Sequence, residues 1–329
     1  MKKKYFNSHS NINENLIINK FLKKLNFNKS GTFNFNNDGA FLKLNKNKKL
    51  VITSDTIVEN IDFFQNDDPK SIAKKLITVN LSDLSAMGSF PLTYTLSLCL
   101  PKNINIIWIN KFTQELNRLQ KIYNFYLIGG DISESKQITV TATFFGLPKD
   151  NIVTSQSKFN LKDDIFVTGN IGDSYVGLML IKNKIKMKNK KMRNYFLSKY
   201  YYPKPCMLGS YISKYVNSMK DISDGFIGDL RKMLSQKAGA KLSLKNIPVS
   251  KELNNFCNYY KFNKRNLINV GDNYQLIIIS NPRFRKQIIS VAQKKNIKIS
   301  RIGSVIRGNL IKDDSGVVIN NNKEYQHFT

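Results

Sequence analysis

Histidine is almost absent from this sequence: only His9 and His327 are present, one near each end. Imidazole acid–base chemistry is therefore excluded from the body of the chain, and any catalysis must lean on other groups. Cysteine is nearly as scarce, and Cys99, Cys206 and Cys257 are odd in number and far apart. That pattern excludes a disulfide framework and a cysteine zinc site, so each reads as a small apolar packing residue. Acidic residues are few, 23 against 52 Lys and Arg, so the net charge is 52 − 23 = +29. No run approaches the roughly 18 apolar residues of a membrane-spanning helix. The basic start, Lys2 to Lys4, leads into a polar stretch rather than the apolar core of a signal peptide. The expectation is a cytoplasmic protein with no membrane partner.

What is present is a chain of 329 residues, long enough for about two domains, with 41% hydrophobic and 11% aromatic residues. That composition excludes a disordered basic tail. The excess charge raises nucleic-acid binding as a reading from a different class. Its distribution argues against a dedicated nucleic-acid partner. The basic residues are mostly Lys, spread end to end among Asn and Ile, and the cluster Lys182 to Lys191 lacks interleaved aromatics or Arg forks.

The apolar spacing of Leu16, Ile17, Phe21, Leu22 and Leu25 predicts a first helix, capped near Ser10. Ala40–Leu44 and Leu50–Thr53 read as a hairpin across a Lys/Asn-rich turn. Asp68 before Pro69 starts a helix that Gly88 can end. A strand over Tyr94–Leu100, a helix over Ile106–Tyr123 and strands over Phe125–Ile128 and Ile138–Phe145 complete the first half. The polar stretch Lys149–Asp163 is the candidate boundary, dividing the chain into residues 1–150 and 151–329. Beyond it the spacing predicts a strand over Ile165–Thr168 and a helix from Asp173, followed by a Lys-rich insert. A helix over Cys206–Val216 leads to the turn Asp221–Gly225 and a helix to Gln236. A strand over Leu276–Ser280, a helix from Pro282, and strands over Ile302–Ile306 and Gly316–Ile319 close the chain. Strands and helices alternate irregularly, which predicts two α+β domains rather than one parallel Rossmann sheet.

Against so basic a background the placement of the acids is informative. Asp38, Asp55, Asp83, Asp131, Asp221 and Asp224 fall at strand ends or tight turns beside Gly, Ser or Thr. Singly, each is explained by capping and turn closure. Together they suit hard cations such as Mg²⁺, which prefer carboxylate and hydroxyl oxygens and bridge phosphates. There is no G-x-x-x-x-G-K-[ST], so a P-loop is disfavoured, and Gly169-Asn170-Ile171-Gly172 is only a weak phosphate-turn signal beside a plain strand-to-helix turn.

The run Val79-Asn80-Leu81-Ser82-Asp83-Leu84-Ser85-Ala86-Met87-Gly88 resembles the N-L-S-D-[LI]-A-A-M-G signature of the thiamine-monophosphate kinase family. The resemblance continues, in family order, through Thr53-Ser54-Asp55-Thr56, Leu127-Ile128-Gly129-Gly130-Asp131 and Val167-Thr168-Gly169. It ends with Asp221-Ile222-Ser223-Asp224-Gly225 and Tyr325-Gln326-His327-Phe328. It implies an α+β, two-domain, aminoimidazole ribonucleotide synthetase-like fold. An N-terminal mixed sheet with helices would form a homodimer interface, and a C-terminal α/β sandwich domain would complete an active-site cleft. It also implies ATP and several Mg²⁺, with thiamine monophosphate as acceptor. The implied metal ligands are Asp38, Thr53, Ser54, Asp55, Asp83, Asp131, Asp221 and Asp224. Gly129, Gly130, Asp131, Gln156 and Ser223 would touch ATP, and Asp62, Asp272 and Tyr325 the acceptor. Aminoimidazole ribonucleotide synthetase stays the alternative within the superfamily. Selenophosphate synthetase is disfavoured because no Cys precedes Cys99.

Departures from the family pattern concentrate around the acceptor. The family's G-D-D reads Asn36-Asn37-Asp38, its H-F reads Asp62-Phe63, and its G-E-D-Y-E-L reads Gly271-Asp272-Asn273-Tyr274-Gln275-Leu276. Gln156 falls where the family places an Arg near ATP. An anionic phosphate acceptor needs no general base, which agrees with the dearth of histidine, and no covalent phospho-enzyme is expected.

Overall fold

Asp68 and Pro69 begin the helix α2 as a good N-terminus should: the Lys70 N–H donates to Asp68 Oδ1 at 3.1 Å and Pro69 occupies the first helical position. The helix spans Pro69–Ala86, and Gly88 ends it at a φ of 75°. The computed structural model describes residues 13–35, 39–235, 237–263 and 269–319. These fall into two units, Met1–Leu84 with Phe90–Leu147, and Ser85–Ser89 with Pro148–Thr329.

The first unit carries a four-stranded mixed sheet of β1 (Val51–Val58), β2 (Ser89–Leu100), β3 (Tyr126–Glu134) and β4 (Thr139–Pro148), in the order β1-β4-β2-β3. β1 and β4 are antiparallel, β2 and β3 parallel. Period-two burial along β1 and β4 gives the sheet one packed face and one more open face. Tyr94, Phe125 and Phe144 fill the packed side, with Tyr94 stacked on Phe144 at 4.9 Å. The helix α3 covers Ile106–Tyr123 as expected, capped by the Asn105 side chain at one end and by Asn124 at a φ of 57° at the other. The Tyr94 hydroxyl donates to Gln120 Oε1, and Gln120 Nε2 donates to the Leu25 carbonyl, which ties the N-terminal segment to α3.

In that segment the helix α1 is only Glu14–Ile17, capped by Asn13, and it continues as a π-turn and a 3₁₀ turn to Asn26. Ser10 lies outside the described residues. Ile17, Phe21, Leu22 and Leu25 are buried, so the apolar spacing was a true packing signal even though regular α geometry is not kept. The expected hairpin does not form. A turn closes between Lys48 N–H and the Asn45 carbonyl, but residues 40–44 form no strand and Phe41 is 50% exposed. β1 instead takes its partner from β4, whose longer alternating run offers a buried face.

The second unit is built on a six-stranded sheet in the order β10-β7-β9-β5-β8-β6. Its strands are β5 (Asp164–Thr168), β6 (Ser218–Asp221), β7 (Gly239–Leu242), β8 (Leu276–Ser280), β9 (Ile299–Ile306) and β10 (Ile311–Asp313). The strands β5 and β8 are buried along their whole length, as strands covered on both faces must be. Ile165, Val167, Ile277 and Ile279 pack against Phe226, Ile227 and Leu230 of α7 (Phe226–Leu234) on one face. On the other, Phe166 and Ile278 pack against Ile288 and Ala292 of the helix Arg285–Lys294 and against Cys206.

Two further sequence expectations are corrected by the structure. The final described strand is Ile311–Asp313, not Gly316–Ile319, because Gly316 at a φ of 83° turns the chain and only a single bridge, Lys312 to Val318, follows. The helix expected over Cys206–Val216 shrinks to α6 (Gly209–Ile212) and a 3₁₀ turn, where Gly209 lets the backbone approach the Ser85 carbonyl. The Lys-rich insert ends in a helix, α5 (Lys190–Tyr201), capped by Asn189. Its Phe196 packs on α4 (Asp173–Ile181) with Phe256 and Cys257 of α8 (Lys251–Tyr259). Cys206 and Cys257 are buried packing residues, as their isolation in the sequence suggests.

Candidate active site

In the first unit, β1 alternates so that Val51, Thr53, Asp55 and Ile57 turn to the side packed by α2, and Ile52, Ser54 and Thr56 to the open side. Thr53 Oγ1 donates to Asp83 Oδ2 at 2.8 Å, joining a strand hydroxyl to the α2 carboxylate. One carboxylate oxygen of Asp55 is buried beside them on the same strand face. Ser54 faces the other way, and its Oγ shares a 2.8 Å hydrogen bond with Thr143 Oγ1 on β4. The three consecutive residues Thr53, Ser54 and Asp55 therefore cannot all offer side chains to one ion.

Asp131 stands on β3, the opposite edge of the sheet, in register with Ser97 and exposed on the open face. It accepts a hydrogen bond from Ser133 Oγ at 3.0 Å. Three strand spacings of about 4.8 Å separate its edge from that of Asp55, roughly 14 Å in all. Within the unit the sheet thus holds Asp55 and Asp131 apart, on opposite faces. Among the described residues, no three acidic, His or Cys side chains form a preformed metal cluster. Gly129 and Gly130 precede Asp131 at a bulge of β3 and line a cavity of about 730 Å³ with Thr95, Ser97 and Phe145. A Cβ on Gly130 would lie 1.9 Å from the Leu96 carbonyl oxygen, whereas one on Gly129 would meet nothing within 4 Å. Gly130 is required for close strand packing, and Gly129 leaves backbone open towards the cavity.

In the second unit, Asp221 ends β6, and Ser223, Asp224 and Gly225 turn the chain into α7. The N–H groups of Ser223, Asp224 and Gly225 each donate to a single oxygen, Oδ2 of Asp229, at 3.2 Å. Lys220 Nζ lies 3.8 Å from Asp221 and 3.4 Å from Asp229, and Lys232 Nζ bonds Asp224 Oδ2 at 2.8 Å. Burial works against the Lys220 charge, but the Asp229 and Asp221 carboxylates outweigh it and hold the ammonium above its ordinary pKa. Burial pushes the Asp229 carboxyl up, an effect that Lys220 partly offsets.

The Gly271–Leu276 stretch braces this turn. The Asp272 N–H donates to the Ser223 carbonyl at 3.0 Å, and a Cβ on Gly271 would fall 2.1 Å from that same oxygen. Asp272, at a φ of 58°, accepts from the Tyr274 hydroxyl at 2.7 Å. Asn273 Oδ1 accepts the Gly172 N–H at 2.8 Å while its amide nitrogen donates to the Val270 carbonyl at 2.6 Å. That Gly172 amide therefore already has a protein partner, which favours the plain-turn reading of Gly169–Gly172. Asp272 and Asn273 line a cavity of about 460 Å³ with Asp173, Lys199 and Lys204. Gln156 is exposed in the loop that leads to β5. Asp62, in the first unit, accepts the Val58 N–H at 2.8 Å and closes the turn after β1. Asp38 and Tyr325 lie outside the described residues.

Sequence reasoning did not single out Asp229, whose signal was a carboxylate four residues after the glycine that opens a helix. Nor did it find Lys220, or the hydrogen bonding of Asn273, whose partners are distant in sequence. Thr53, Asp55 and Asp83 in the first unit, and Asp221 and Asp224 in the second, each offer hydroxyl or carboxylate oxygens of the kind Mg²⁺ takes.

Comparison with known proteins gives the family to which the chain belongs. Two family profiles match, AIR synthase related protein N-terminal domain over residues 36–147 and AIR synthase related protein C-terminal domain over residues 163–313. Thiamine-monophosphate kinase of Buchnera aphidicola subsp. Acyrthosiphon pisum is 35% identical over 297 residues, 88% of this chain and 91% of that protein. The Escherichia coli K12 thiamine-monophosphate kinase is 34% identical over 218 residues, 66% of each chain. A solved thiamine monophosphate kinase from Aquifex aeolicus superposes with a TM-score of 0.74 at 26% identity, covering 83% of this chain and 90% of that one. AaThiL complexed with AMPPCP and TMP superposes with a TM-score of 0.75 at 25% identity, covering 88% and 91%. The order and spacing of the Thr53, Asp83, Asp131 and Asp221–Gly225 motifs, the two mixed-sheet units and these likenesses together place the chain in the thiamine-monophosphate kinase family.

Proposed function

We propose that this protein transfers the terminal phosphoryl group of ATP to thiamine monophosphate, yielding thiamine diphosphate and ADP by direct in-line displacement. The observation that carries the reading is the Thr53–Asp83 pair, a strand hydroxyl bonded at 2.8 Å to a helix carboxylate, in a chain with only 23 acidic residues. The attacking group is an oxygen of the acceptor's phosphate, already anionic at neutral pH, so no side chain has to remove a proton. The main barrier is the approach of two polyanions, about 4 kcal/mol for each close pair of unit charges at an effective dielectric near 20. Several Mg²⁺ ions, held by Asp38, Thr53, Ser54, Asp55, Asp83, Asp131, Asp221 and Asp224, would supply charge neutralisation when bound. Gly129, Gly130, Asp131 and Ser223 are assigned to ATP, Gly129 with its backbone open to a cavity and Ser223 fixed in a turn. Asp272 and Tyr325 are assigned to the acceptor, with Gln156 near ATP. Asp62 is assigned there with its carboxylate already closing a turn, which makes it the weakest member of that set. The net charge of +29 steers both anionic substrates towards the protein.

The active unit in this proposal is a homodimer in the cytoplasm, formed by residues 1–150, with residues 151–329 completing the cleft. Asp55 and Asp131 face opposite sides of one sheet, so a second copy is the simplest way to bring acids of both kinds to one nucleotide. The open face offers Ile52, 59% exposed, and the hydroxyl rows of Ser54, Thr56, Thr141 and Thr143 to such a copy. Incubation with ATP, Mg²⁺ and thiamine monophosphate should give thiamine diphosphate and ADP. A yield no higher than that of Asp55→Asn would sink the proposal, and a monomer by light scattering would sink the dimer.

A further inference from the structure

One buried carboxylate in the second unit has no assigned ligand role of its own, yet it gathers the hydrogen bonds of the turn that carries Ser223 and Asp224. Asp229 is fully buried, on the first turn of α7. Its Oδ2 receives the N–H groups of three consecutive residues, Ser223, Asp224 and Gly225, and its Oδ1 faces the Lys220 ammonium at 3.4 Å. Three amides converging on one anionic oxygen form a compact nest, and hydrogen bonds to a charged acceptor are the stronger kind. The same backbone is pressed from the other side, where Gly225 and Gly271 have no room for a Cβ against the Asn269 and Ser223 carbonyls. The turn between Asp221 and Gly225 is therefore held at its amides by Asp229 and at its carbonyls by the Gly271–Tyr274 stretch.

We infer that Asp229 is a positioning residue: with Lys220 it clamps the Asp221–Gly225 turn so that the carboxylates of Asp221 and Asp224 keep one fixed separation and direction. Lys220 has a second part in this. It lies near both Asp221 and Asp229, so it offsets the repulsion among acids crowded into nine residues. The inference rests on the proposed function only for the purpose of the turn; the clamp itself is a property of this unit. An isosteric Asp229→Asn side chain keeps the volume, but it removes the anionic acceptor and turns an amide donor towards either the three N–H groups or Lys220.

The test uses the full chain and two readouts that need no turnover. Hydrogen exchange of the segment containing Ser223, Asp224 and Gly225 should accelerate roughly tenfold in Asp229→Asn, with segments from β5 and β9 exchanging as in the wild type. Mn²⁺ binding, followed by electron paramagnetic resonance without nucleotide, should weaken by about the same factor. If Asp229→Asn does not fold, Asp229→Glu is the second variant, since it keeps the charge but displaces the carboxylate by one methylene; it should show the same selective acceleration. Wild-type exchange at the turn, or acceleration spread evenly over the unit, would overturn the inference. In the kinase assay the variant should lose kcat and raise the Mg²⁺ requirement, while KM for the acceptor stays within about twofold. Unchanged kcat with intact Mn²⁺ binding would also overturn it. Failure of the wild type to make thiamine diphosphate would refute the function and leave the exchange and Mn²⁺ results to decide the clamp.

Discussion

The two units hold their acidic residues by different means. In the first, Asp55, Asp83 and Asp131 stand on long, regular elements, two strands and a helix, and sheet register decides where each points. In the second, Asp221 and Asp224 lie within one turn, whose shape depends on a buried carboxylate, two crowded glycines and a neighbouring loop. A strand is a rigid ruler with a period of two, so an acid on it is placed by backbone hydrogen bonds that substitution of its side chain leaves intact. A turn has no such ladder. Its carboxylates are only as well placed as the side chains that tie down its amides.

This contrast can be broken by substitution. Asp83→Asn should lower kcat at least about a hundredfold while the thermal midpoint moves by only a few degrees, since α2 and β1 are held by their own backbone and core. A large loss of stability would show that the Thr53–Asp83 pair supports the fold rather than the chemistry. Gly271→Ala should act the other way, destabilising the protein by about 2–3 kcal/mol, because its Cβ would fall 2.1 Å from the rigid Ser223 carbonyl. Denaturant unfolding checks this, and a midpoint equal to the wild type would show that the turn yields freely.

A smaller effect is expected at Asp173, which accepts from Ser250 Oγ at 2.6 Å and from the Tyr195 hydroxyl at 2.8 Å. Burial raises its carboxyl above the ordinary range despite both hydrogen bonds. The folded state therefore binds this proton more readily than the unfolded one, and stability from this group falls as pH rises beyond the unfolded value near 4. Asp173→Asn should melt with the wild type near pH 4 and slightly above it at pH 7. A variant that melts below the wild type at pH 7 would show that the anion is net stabilising. The smallest effect concerns the surface: any DNA binding should vanish by about 150 mM salt, and retention above that would reopen a nucleic-acid role.

Local signals in the chain specified a good deal of this molecule. Asp68-Pro69 and Gly88 bounded α2, the pattern over Ile106–Tyr123 marked α3, and the continuous β-rich run at Leu276–Ser280 marked a strand. The motif order was sufficient to name the family, and scarce acids in a basic chain pointed to oxygen-ligand chemistry without histidine. Tertiary structure alone decided how those acids are arranged. Thr53, Ser54 and Asp55 are adjacent in sequence, yet strand alternation sends Ser54 to the opposite face. Sheet order, which no local pattern encodes, sets Asp55 and Asp131 on opposite edges. Asp229 takes its role only when the turn before it folds back onto its carboxylate. Pairing of β1 with β4 across about 90 residues, rather than with its sequence neighbour, has the same origin. Propensity and capping act over a few residues, but register, sheet order and the convergence of three amides on one oxygen depend on segments that meet only when the chain is packed.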